Sequence, residues 1–94
     1  MGTYSINKYL EAAHENCFEN GAAIKKRIQP CGCFFCGRIY SSEDFSPMSF
    51  NTELSGKETA FCPFCGVDAV LCEDSGFPIT KDFLTAMHRK YFFF

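Results

Sequence analysis

The chain has 94 residues, a formal net charge of −2 and an apolar fraction of 47%, values that suit one small folded domain spanning 1–94 and exclude a general positive field for phosphate-rich partners. No stretch approaches the ~20 apolar residues of a membrane span. Met1-Gly2-Thr3-Tyr4-Ser5 lacks the basic start and apolar run of a secretion signal, and Ile6 stands where an N-myristoylation pattern wants Ser or Thr.

Residues 5–19 read as an amphipathic helix, with Ile6, Tyr9, Leu10, Ala13 and Cys17 on one apolar stripe. Asn20-Gly21 interrupts the pattern. Asn20 either ends this helix or caps a short second one reaching Lys26, so the N-terminal helical segment covers 5–27 and Pro30 stops it. A ribbon follows over 31–72. Arg38-Ile39-Tyr40, Glu58-Thr59-Ala60-Phe61 and residues 67–71 read as three short antiparallel strands. Ser42 opens one helical turn that buries Phe45 and that Pro47 closes, and residues 50–56 read as a polar connection. Asp74-Ser75-Gly76 is a turn. Thr80 is the N-cap of a C-terminal helix over 80–91, whose stripe is Phe83, Leu84, Met87 and Tyr91. The expected fold class is α+β: a small ribbon with helices at both ends that pack on each other or on one ribbon face.

The chemistry sits in Cys33-x2-Cys36 and Cys62-x2-Cys65, each followed by glycine, Gly37 and Gly66. Two residues between thiolates let a tight turn aim both sulfurs at one ion, and two such turns complete the tetrahedron that Zn2+ prefers. Glycine suits the positive φ of such a turn, and Pro63 shapes the second one. The metal ligands are therefore Cys33, Cys36, Cys62 and Cys65, holding one structural Zn2+, with Cys31 as the alternative to Cys33. Cys17 reads as a core residue. Cys72 is core, a reserve ligand or a reactive thiol, with core favoured. His14 and Cys17 offer two ligands on one helix face, which is not a site, and His14 and His88 read as partly exposed helical histidines. Four thiolates close the coordination sphere, and no phosphate loop, nucleophile elbow or carboxylate pair is present, so no catalytic residues are expected.

Several stretches resemble a family of small bacterial cytoplasmic proteins: Cys31-Gly-Cys-Phe-Phe-Cys36, Cys62-Pro-Phe-Cys65-Gly-Val-Asp-Ala-Val70, Gly76-Phe-Pro-Ile-Thr-Lys-Asp-Phe-Leu84 with Met87-His88, and His14-Glu15-Asn16. The resemblance runs from His14 to Phe92 and implies a zinc-ribbon-like core and a bacterial cytoplasmic setting. It lends no catalytic residues.

The 12 Phe and 4 Tyr read either as a packed aromatic core or as a docking face, with Tyr91-Phe92-Phe93-Phe94 carrying much of that weight. The leading functional reading is a non-enzymatic protein-interaction module built on zinc, with an unidentified protein as partner; a homodimer is also compatible with it. The alternative is a nucleic-acid-binding ribbon using Lys25, Lys26, Arg27 and Arg38 with Phe34 and Phe35 for stacking, which the acidic balance disfavours. A thiol-redox or metal-sensing protein is the third reading.

Overall fold

The computed structural model describes residues 3–92, with side chains from Ile6 onward. The readings made on Met1, Gly2, Phe93 and Phe94 lie outside them. The architecture is α+β, with antiparallel strands and terminal helices.

Helix α1 spans Thr3–Glu15 and α2 spans Gly21–Lys25. Strand β1 is Pro30–Cys33, β2 Ile39–Ser41, β3 Phe50–Thr52, β4 Glu58–Ala60 and β5 Val70–Cys72; helix α3 is Lys81–Tyr91. The first helix thus ends four residues before the expected boundary. Glu19 then takes a positive φ of 55°, and Cys17 is buried in the turn beyond the helix.

Among the described residues the expected three strands are five, in two sheets. Strand β1 is central in the order β2-β1-β5, and β3 pairs with β4 in a separate hairpin. The sequence around β1 discourages a strand because it contains proline and glycine. Pro30 is tolerated as the first strand residue, where no ladder donor is lost. Gly32 is required by packing: a Cβ there would lie 2.9 Å from Leu84 Cδ1 and 3.2 Å from Ile79 Cγ2. The bare backbone lets α3 approach the sheet.

Residues 50–56 are also more ordered than a polar connection. Phe50 faces Ala60 across the hairpin, and Gly56 closes its turn at φ 90°. Pro47 does not close the turn opened by Ser42. That turn ends at Asp44 under a capping box from Ser41, and Pro47 begins a second 3-10 turn. Phe45 is half-buried, its ring 5.7 Å from Tyr40.

Asn20 stands at the N-cap of α2 without capping it through its side chain. The side chain instead donates to Val70 O at 2.9 Å and accepts from Ala60 N at 3.0 Å, tying the two sheets together. Gln29 plays a similar part, donating to Ala23 O at 2.7 Å and accepting from Asp74 N at 2.7 Å. A buried amide with both ends satisfied stabilises such a junction, where one left unsatisfied costs roughly 1–3 kcal/mol.

Helix α3 begins at Thr80, whose hydroxyl accepts from Phe83 N at 3.2 Å, as its N-cap position requires. Phe83, Leu84 and Met87 are buried. Helix α1 packs across α3 through Tyr9 against Phe83, 5.8 Å between ring centroids, and His14 stacked on Tyr91 at 4.1 Å. Among the described residues no helix is long and apolar enough to cross a membrane.

Candidate metal centre

Each cysteine pair sits in the same kind of turn. In the first, Gly37 N donates to Cys33 O at 2.8 Å and Cys33 N donates to Arg38 O at 3.0 Å. In the second, Gly66 N donates to Cys62 O and Cys62 N to Val67 O, both at 2.9 Å. Gly37 and Gly66 share φ 79°, a left-handed conformation that residues with a Cβ rarely adopt. The sequence x2-Cys-Gly therefore folds twice into one shape.

Strand β1 delivers Cys33, and the run out of β4 delivers Cys62. The sulfurs of Cys33, Cys36, Cys62 and Cys65 all lie within 4.8 Å of one another. Cys33 Sγ is 3.6 Å from Cys65 Sγ, and Cys36 Sγ is 3.8 Å from Cys62 Sγ. Each close contact joins the two turns. A tetrahedron with Zn–S bonds of about 2.3 Å has edges of about 3.8 Å, so the cluster has the dimensions of a four-sulfur metal cage. Cys33 and Cys62 are buried, Cys65 is half-buried and Cys36 is exposed.

The surroundings supply donors to the sulfurs. Phe64 N points to Cys62 Sγ at 3.4 Å. Burial works against a thiolate at Cys62, but the Tyr40 hydroxyl and the amides of Cys65 and Phe64 outweigh it and bring the pKa down to about 7. Burial dominates at Cys33 and pushes its thiol up, against the amides of Cys36 and Phe35. The Tyr40 hydroxyl is buried with no hydrogen-bond partner among the described residues, and its presence near Cys62 favours the charged form of that thiol. A buried hydroxyl beside the Cys62 sulfur suits a metal thiolate as acceptor, which spreads excess negative charge.

The other cysteines stay out of the cluster. Cys31 is fully buried, with its thiol near Gln29 O at 3.8 Å and its pKa pushed by burial up to about 12. It pairs across the ladder with Cys72, also buried, which places both in the core. Cys17 Sγ donates to His14 O at 2.9 Å.

Three residues at this site escape a reading by spacing. Tyr40 reaches Cys62 from β2. His88 is half-buried, with Nδ1 3.0 Å from Phe34 O, and Lys81 Nζ donates to Gly37 O at 3.0 Å. Both latter side chains lash α3 onto the first turn. The one signal for His88 is its place four residues after Leu84 on the helix stripe.

The basic run proposed for nucleic acid is engaged within the chain. Lys25 pairs with Glu58, Lys26 with Asp74 at 3.4 Å, and Arg27 with Glu73 at 2.9 Å and Asp74 at 3.2 Å. Arg38 lies over the Phe64 ring at 4.9 Å.

No family model, curated protein or solved structure matches the chain.

Proposed function

We propose that this protein is a zinc-stabilised docking module: Cys33, Cys36, Cys62 and Cys65 hold one Zn2+ in a zinc ribbon, and the scaffold binds a protein partner without catalysing a reaction. The observation that carries the reading is the pair of cross-turn sulfur distances, 3.6 and 3.8 Å, next to the tetrahedral edge of about 3.8 Å for zinc thiolates. An all-sulfur donor set selects zinc over the hard cations Mg2+ and Ca2+. Four protein ligands leave no open position for a metal-bound water, which argues against hydrolytic chemistry. A reducing cytoplasm keeps such thiolates available.

Docking is supported by apolar side chains held in the open. Phe18 is 55% exposed, Phe64 51% and Ile28 69%. The nucleic-acid alternative loses weight because its basic triplet is already paired with carboxylates.

Elemental analysis and native mass spectrometry of the purified full chain test the metal. One zinc per chain is expected, lost with Cys36→Ser or Cys65→Ser. A folded, metal-free protein would end the zinc reading. For docking, the expected result is a stoichiometric co-purifying protein, and retarded nucleic acid at low salt would favour the alternative instead.

A further inference from the structure

A cleft of about 440 Å³ opens between the end of α1 and the two cysteine turns. Phe34 lines it from the first turn, Phe18 from the segment after α1, and Phe92 from the residue following α3. Glu15 and Asp68 stand on its rim, both exposed. Among the described residues neither carboxylate has a cationic partner, whereas Glu11, Glu58, Glu73 and Asp74 each have one. No lysine or arginine lines the cleft among the described residues.

Both carboxylates act on this corner of the molecule. After burial, Asp68 adds to the upward shift of Cys17, which lines the cleft; after burial, Glu11 and Cys17, Glu15 makes a smaller contribution to that of Tyr91.

Two uncompensated negative charges beside aromatic rings repel anions and leave a neutral apolar ligand without a partner for the charge. They suit a cation that also offers a flat, weakly hydrated face. Guanidinium is that group: it stacks on rings and forks its N–H donors onto carboxylates, where an ammonium is a compact and more strongly hydrated point charge. The volume lies in the range of roughly 300–1,000 Å³ that holds small ligands.

We propose that this cleft receives an arginine side chain presented by the partner protein, with the guanidinium between Glu15 and Asp68 and against the phenylalanine rings. The proposal rests on the docking role above and supplies its partner chemistry. It also gives the metal a task. Phe34 lies between ligands Cys33 and Cys36, and its N–H donates to Ala69 O at 3.0 Å. Asp68 and Ala69 follow Cys65 closely. The metal thus holds two walls of the cleft in register.

The test titrates N-acetyl-arginine amide into the zinc-loaded full chain and follows backbone amides by NMR, with N-acetyl-citrulline amide as the neutral isostere. Saturable shifts at Glu15, Asp68 and Ala69 are expected with arginine. They weaken several-fold with citrulline, with added salt and in a Glu15→Gln/Asp68→Asn variant, whose exposed positions leave folding intact. Equal shifts from citrulline, shifts confined to other surfaces, or none at the solubility limit would overturn the assignment. Equal retention of a co-purified partner by wild type and the double variant would also sink the cleft while leaving the docking role standing, so the two failures are told apart.

Discussion

The turn at 33–37 and the turn at 62–66 share φ 79° at their glycines and closing hydrogen bonds of 2.8 and 2.9 Å, yet their surroundings differ. The first lies under α3, gripped by His88 at Phe34 O and Lys81 at Gly37 O, with Phe92 5.0 Å from the Phe35 ring. The second carries Phe64 half in solvent, touched by Arg38 and by the Tyr40 ring at 5.2 Å. Local turn chemistry made the copies, and tertiary packing made them unequal. With a metal bound, the first turn would be fixed by helix and metal together, while the second would depend more heavily on the metal and on the strands that flank it.

Removing a ligand should have the largest effect. Structural zinc in small domains is worth roughly 10–16 kcal/mol near neutral pH, against net stabilities of ~5–15 kcal/mol. Cys62→Ser should therefore abolish metal binding and cooperative melting by circular dichroism. Hydrogen exchange after chelation sharpens the comparison: amides of 62–66 should lose protection before those of 33–37, and simultaneous loss would remove the asymmetry.

The glycines come next. A Cβ at Gly37 or Gly66 meets nothing within 4 Å, so alanine introduces backbone strain alone, about 1–2 kcal/mol for a left-handed residue. The two substitutions should lower the melting temperature by similar amounts, and a clear inequality would break the claim that the two turns share one backbone conformation. Thr80→Ala removes the cap of α3 and should cost about 1 kcal/mol, with NMR shifts concentrated near 33–37 rather than 62–66.

A further prediction concerns alkaline pH, with no effect near neutrality. Burial, with help from Asp68, raises Cys17 from 9.0 to about 11. A thiol kept neutral in the folded state contributes stability that is fully present below the unfolded value and is lost as pH rises through the folded one. Stability should decline between pH 9.0 and about 11, and Cys17→Ala should flatten that limb in urea titrations across the same window.

The four-cysteine cluster is the most legible part of the sequence, because its logic is local: two residues between cysteines and a glycine after each pair. The N-cap at Thr80 was legible for the same reason. Strand β1 was not, since Pro30 and Gly32 speak against a strand and only the approach of Leu84 explains the glycine. Asn20 read as a helix boundary, while its side chain serves Val70 and Ala60, 50 and 40 residues away. The run Lys25-Lys26-Arg27 looked free for phosphate because its partners Glu58, Glu73 and Asp74 lie far along the chain. What sequence spacing conceals here is long-range pairing.

X-ray absorption at the zinc edge of the metal-loaded protein reads the coordination sphere itself. A single shell of four sulfurs at about 2.3 Å is expected. A shell containing nitrogen or oxygen, or fewer than four sulfurs, would contradict it.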